Sequence, residues 1–384
     1  MSNFVFITLL AAFPALSTDM YLPALPIIQQ QMGIPLATAN LSLVLFFVFF
    51  SFSLLIYGPL SDRVGRRSVL LGGITIYIIG SILCAFSQNI WLLVAARIVQ
   101  AAGAASASAL SMALAKDLYT GKERQKVLAY IGVIIPLCPM LAPLLGSLIL
   151  EYADWSWIFV CQAVLASVAM YGTICFTEPD FAKTNGSIWR IVSRYTAVLS
   201  NVQFSLSCFT FSFMGIGFFA FLAGSADIYI LSYGLTEQQY ALFFGFNALG
   251  FMLGSLLCSR LCVDMTAHEI LRGSLVGIVI ASIALFFFGN TPYGFAITMF
   301  CMTFSIGVSR PVSNHMILET VDSDVGTASS ILTFTYFILG AVAMQFISFD
   351  WECKPDVISK MGVVAGIIPL VALSILRKEH HKNS

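Results

Sequence analysis

Runs of apolar residues long enough to cross a bilayer fill most of this sequence, and they decide what it can fold into. They lie at about 4–27, 41–60, 68–86, 90–115, 127–150 and 155–176, then at about 203–226, 238–260, 270–290, 293–312, 325–348 and 357–376. A helix needs roughly 20 such residues to span the hydrocarbon. The runs are continuous rather than alternating, which excludes barrel strands and leaves helices that satisfy their own backbone groups. Composition agrees: 10% of the 384 residues are charged, against about 25% in a soluble globule. Met1-Ser2-Asn3-Phe4 lacks the basic region of a cleaved leader, so the first run is read as a span. The sequence predicts an all-α integral membrane protein of twelve transmembrane helices in two six-helix bundles. The expected domains are an amino-terminal bundle over 1–178, a cytoplasmic linker over 179–200, and a carboxy-terminal bundle over 201–384 with a short cytoplasmic tail.

The net charge is zero, but the charges are sorted. Arg63, Arg66, Arg67, Lys116, Lys122, Arg124, Lys126, Lys183, Arg190, Arg194, Arg260, Arg272, Arg310, Arg377, Lys378 and Lys382 fall on one side of the spans; Lys354 and Lys360 fall on the other. The positive-inside rule then places both termini in the cytoplasm. No basic patch suits a nucleic acid. Cys258 and Cys262 share a helix face without a histidine, so neither metal nor cofactor is expected. No His, Asp or Glu cluster converges within the runs, which argues against an embedded enzyme.

Three polar features interrupt the apolar background. Gly58-Pro59-Leu60-Ser61-Asp62-Arg63-Val64-Gly65-Arg66-Arg67 lies between the second and third runs, where Gly58 and Gly65 allow turns and the charges can pair across helix ends. Asp19 stands inside the first run, and an ionisable residue in a span marks a functional site by default. Removed from water, it is a candidate to take up and release protons. Arg97 lies at a similar depth in the fourth run and shares a helical face with Gln100, Ala104, Ser108 and Ser111. A polar stripe of this kind faces a cavity or another helix, and Arg97 is expected to tune Asp19 or act as its counter-ion. In the fifth run, Gly132, Pro136, Pro139, Pro143 and Gly146 fall within an arc of about 80° at helical spacing, where prolines kink and glycines permit close packing.

The decapeptide, in its pattern G-x-L-x-D-R-x-G-R-R, resembles the hallmark loop of the major facilitator superfamily. Arg97-Ile-Val-Gln100-Ala-Ala-Gly103 resembles that superfamily's R-x-x-Q-G-x-G element, with Ala101 in place of the first glycine, and Pro139-Met-Leu-Ala-Pro143-Leu-Leu-Gly146 resembles its antiporter signature. Thr18-Asp19-Met20-Tyr21-Leu22-Pro23, Lys116-Asp117-Leu118-Tyr119, Phe244-Gly-Phe-Asn247-Ala-Leu-Gly250 and Val325-Gly-Thr-Ala-Ser-Ser330 are similar to the bicyclomycin- and florfenicol-resistance branch of twelve-span drug–proton antiporters. The resemblance implies two pseudo-symmetric bundles that alternate access by rocking. It implies a conformational latch at Gly58, Asp62, Arg63, Gly65, Arg66 and Arg67, with Asp62 on a helix terminus and Arg63 or Arg66 meeting Asp117. It also implies proton-coupled efflux of small lipophilic compounds by a monomer in the lipid bilayer of the bacterial inner membrane, with Asp19 and Arg97 in proton coupling. Tyr21, Gln100, Phe211, Asn247 and Tyr336 are candidate cavity residues by position. The alternatives are export of an endogenous metabolite on the same machinery, or uptake by symport.

Overall fold

The computed structural model describes residues 3–176, 178, 188–321 and 324–383, apart from the side chains of 125, 128–129, 132–136, 188–191 and 375–383. Helices α1 (Asn3–Asp19), α2 (Leu25–Met32), α3 (Leu36–Val64), α4 (Arg66–Ala85), α5 (Ile90–Leu118), α6 (Gly121–Tyr152) and α7 (Ser156–Cys175) come first. After α8 (Ile188–Ser200) follow α9 (Val202–Ser212), α10 (Ile216–Ala226), α11 (Glu237–Asp264), α12 (Ala267–Phe288), α13 (Pro292–Leu318), α14 (Val325–Ile347) and α15 (Lys354–Asn383). Among the described residues, 11 helical stretches are long and apolar enough to cross a membrane, and α6 adds the apolar segment Leu137–Tyr152. The crossings fall where the apolar runs predict them.

Two compact units result, Met1–Ile191 and Val192–Ser384. In the first, α5 packs against α1, α3 and α4, while α4 packs on α7 and α1 on α6. In the second, α13 packs against α11 and α12, α12 on α15 and α10 on α14. The fourth span of each unit therefore contacts the second and third spans of its own unit, a repeated internal pattern of the kind transporters build from duplicated halves.

Short polar residues start the helices. Asn89 and Asn201 accept from the backbone N–H of Leu92 (2.9 Å) and Phe204 (3.0 Å). Thr236 with Gln239, and Thr266 with Glu269, form reciprocal capping boxes. The first span of each unit is interrupted. Between α1 and α2 the chain tightens into a 3-10 turn at Leu22–Ala24; between α9 and α10 it does so at Phe213–Gly215, and α10 ends in a π-helical turn over Asp227–Ser232. Pro23 and Pro26 explain the first break, since neither can donate to the preceding turn.

Part of the expected linker is helical. Residues 179–187, with Lys183, lie outside the described residues, but α8 covers Ile188–Ser200. Its apolar positions recur at helical rather than continuous spacing, with Val198 buried and Val192 and Leu199 exposed, a pattern that a search for unbroken apolar runs passes over.

Candidate functional site

Helix α5 carries Arg97 into the first unit with no exposed surface. Its Nη1 donates to the Ser17 carbonyl at 2.9 Å and to Gln100 Oε1 at 2.5 Å. Gln100 Nε2 donates to Ser81 Oγ and Gln162 Oε1, both at 2.8 Å, and Gln162 Nε2 to the Leu16 carbonyl at 2.9 Å. Ser17 Oγ and the Tyr77 hydroxyl are 2.7 Å apart. One buried network thus joins α1, α4, α5 and α7. The guanidinium carbon lies 4.2 Å from the Phe46 ring centre, 4.8 Å from Tyr21 and 5.8 Å from Phe159, so three aromatic faces hold the charge. The tight fit depends on glycine: a methyl group at Gly80 would come within 2.5–2.9 Å of Gln100, and one at Gly103 would strike the Tyr77 backbone. Ala101 therefore does not prevent the close approach of α4 and α5.

Asp19 ends α1 and is 5% exposed. Thr18 Oγ1 donates to its Oδ1 at 2.8 Å. The expected pairing with Arg97 is not formed: among the described residues Asp19 has no ion-pair partner, and the arginine binds the backbone two residues earlier. The turn at Thr18–Tyr21 separates them, offering the Leu16 and Ser17 carbonyls to α7 and α5 while Asp19 comes within electrostatic reach of Cys138 on α6. Gly146 of α6 abuts the Met20 carbonyl, leaving no room there for a side chain. Pro139 is partly buried and Pro143 buried; Gly132 and Pro136 lie on the same helix, with their side-chain surroundings outside the described ones.

The decapeptide is mostly helix. Gly58 lies inside α3, and a methyl group there would meet nothing within 4 Å, so it makes no turn; Gly65, at φ +116°, makes the only one in the motif. Arg66, not Arg63, meets Asp117, at 3.2 Å, and Asp62 pairs with Arg66 at 2.5 Å rather than with a helix terminus. Arg63 is exposed. Arg67 donates to the carbonyls of Thr173 (3.3 Å) and Ile174 (2.5 Å) at the end of α7. Sequence reasoning missed Glu178, which it left beside the linker. Its Oε1 accepts from the backbone N–H groups of Arg66 and Arg67 (3.4 Å for the latter), a remote cap on α4.

The expected cavity residues are packed rather than open. Tyr21 and Gln100 are fully buried beside Arg97, and the Tyr21 hydroxyl lies 2.8 Å from Ser42 Oγ. In the second unit, Phe211 is 2% exposed and Tyr336 8%; Asn247, at 1%, holds α11 to α13 through a 3.1 Å bond from Thr303 Oγ1 to its carbonyl. Two charged features went unread. Arg310, counted with the loop cations, sits inside α13 with its guanidinium 3.5 Å from the Tyr336 ring centre. Its position before Pro311 in an apolar run was the available signal. Lys354, counted among the charges on the far side of the spans, forms with Asp227 a nearly buried ion pair at 2.5 Å between the end of α10 and the start of α15; 127 residues separate them, so nothing local links them.

The family model of the Major Facilitator Superfamily matches residues 7–344. The chain belongs to this superfamily. It is 28% identical to an uncharacterized MFS-type transporter, YdgK, of Bacillus subtilis, over 98% of this chain and 96% of that one. A bicyclomycin resistance protein homolog of Haemophilus influenzae is 25% identical across 100% of this chain and 98% of its own. A chloramphenicol resistance protein of Pseudomonas aeruginosa is 27% identical over 86% and 78% respectively. Among solved structures, a D-xylose–proton symporter superposes with a TM-score of 0.72 at 15% identity, covering 95% of this chain and 96% of that one, a likeness of fold alone. The superfamily fold expected from the motifs is the one found, and the resemblance to the resistance branch is supported by these relatives. As a facilitator, the chain belongs among membrane transporters.

Proposed function

We propose that this facilitator exports small lipophilic compounds in exchange for protons, with Asp19 as the proton carrier. The observation that carries the reading is Asp19 itself: a nearly buried carboxylate at the break in the first span, free of any ion pair among the described residues, beside the α6 helix that bears the antiporter pattern. A carboxylate neutralised by Arg97 would be held ionised; this one is free to change state. Substrate enters from the cytoplasm or inner leaflet, the bundles over 1–178 and 201–384 alternate access, and a proton from outside resets the cycle. A membrane potential supplies about 2.3 kcal/mol per charge per 100 mV, enough for one proton per cycle to drive a useful gradient. The sorted Lys and Arg residues support an orientation with both termini in the cytoplasm, and the decapeptide, anchored through Arg66 and Arg67, is assigned the role of latch. The monomer is taken as the working unit. Names given to relatives support antibiotics of the bicyclomycin and amphenicol types as the first substrates to try.

The test uses inside-out vesicles energised by respiration. Addition of bicyclomycin or an amphenicol is expected to release protons from wild-type vesicles and none from Asp19→Asn. Release that survives Asp19→Asn removes Asp19 from the role; no release with any compound directs the search to an endogenous metabolite.

A further inference from the structure

Two second-unit cations, Lys354 and Arg310, carry their charged groups out of solvent, and only the first has a carboxylate partner among the described residues. Lys354 is paired with Asp227. The Arg310 side chain makes no hydrogen bond and no ion pair with any described residue, and its Nη1 is buried without a partner. Its electrostatic neighbours are the Tyr336 hydroxyl and the Cys208 thiol, neither of them a carboxylate. Arg310 lies eight residues before the end of α13, roughly 12 Å at helical rise, and two residues before the end of the apolar run at about 293–312, so the charge sits where the apolar segment ends and its helix runs on beyond it.

The site is built to present that charge. Tyr336 is held in place because Gly215 leaves a notch for its ring, and any side chain at 215 would collide with it. Phe219 packs edge-on to Tyr336 at 5.0 Å and occupies a second notch at Gly340. Stacking on Tyr336 uses the flat face of the guanidinium and none of its N–H groups, which radiate from the edge. The face is satisfied and the edge is not. A buried cationic group without a counter-charge is costly, and the planar fork of arginine matches the paired oxygens of a carboxylate.

We propose that Arg310, seated on Tyr336, is a binding site for a substrate carboxylate, so that the facilitator takes lipophilic organic acids in addition to the neutral antibiotics named above and in preference to lipophilic cations. The proposal rests on the export reading, which it deepens. It leaves Asp19 and Arg97 in the first unit untouched and concerns selectivity alone.

The test is equilibrium binding to the purified full chain in lipid nanodiscs, followed by fluorescence. The probes are a dansylated aromatic amino acid with a free carboxylate, its methyl ester, and ethidium. Wild type is expected to bind the acid at least about tenfold more tightly than the ester, and ethidium weakest. Arg310→Gln is expected to bring acid and ester within about twofold of each other, and Arg310→Lys to keep part of the preference, since it keeps the charge and loses the planar fork. Equal binding of acid and ester by wild type, failure to bind either, or a preference that survives Arg310→Gln would overturn the proposal. If Arg310→Gln does not fold, the wild-type comparison and Arg310→Lys still decide. Proton release from vesicles is read separately: acid-selective binding without it would sink the export reading and leave this site standing, and the converse would do the opposite.

Discussion

Arg97 and Asp19 stand two residues of backbone apart in their contacts, and that offset separates their roles. Arg97 holds the Ser17 carbonyl and Gln100, so Arg97→Lys, which reaches fewer acceptors and loses the ring contacts, is expected to cost about 1.5–3 kcal/mol, the worth of a charged buried hydrogen bond. Asp19→Asn removes a group that Arg97 does not touch and should leave the melt of the purified protein nearly unchanged. Equal destabilisation by both variants in a thermal melt would show that they act as a pair after all. Glu178 offers a second test at this scale. Glu178→Ala strips the cap from α4 and should cost about 1 kcal/mol. The local sign is faster tryptic cleavage at Arg66 and Arg67; an unchanged digestion rate would deny the cap.

Among the helices, backbone contact rather than side-chain volume sets the packing near the first break. Gly146→Val places atoms on the Met20 carbonyl and should abolish transport with about 1–3 kcal/mol of overpacking strain, while membrane insertion, read by immunoblot, stays normal. Gly58→Ala is the contrast. Nothing crowds that position, and alanine is favoured over glycine inside a helix by about 0.5–1 kcal/mol, so it should be neutral or stabilising. A severe Gly58→Ala phenotype would mean that the motif needs this glycine in a conformation other than the one described. These elements also mark what could be read in advance. The twelve spans were legible because an apolar run is a local property, and Arg97 with Gln100 because helical spacing aligns them. Gln162, Ser81 and Glu178 were not, since each acts through a partner far along the chain. The Arg66–Asp117 pair was anticipated, but the Asp19–Arg97 pair was not realised because a tightened turn changes which atoms meet.

At the scale of the whole molecule, the same plan appears in both units: a fourth span that contacts the second and third, and a first span that is broken partway. Each unit also carries an arginine stacked on aromatic side chains in that fourth span: Arg97, buried near the start of α5 against three rings, and Arg310, partly exposed near the end of α13 against Tyr336. The doubled break has a consequence for how the protein spends its time. Amides within unbroken spans exchange with deuterium slowly, because each is locked in a helical ladder and shielded by lipid. The carbonyls facing Pro23 and Pro26 lack that ladder, and the 3-10 turns at Leu22–Ala24 and Phe213–Gly215 have weaker bonds. Exchange followed by mass spectrometry should therefore find two fast windows deep in otherwise silent spans, at 19–25 and 212–216, opening well before their neighbours. Uniform protection along both spans would mean that the breaks are rigid kinks. Fast windows would instead give this facilitator two soft joints, one in each unit, with the carboxylate at the first of them.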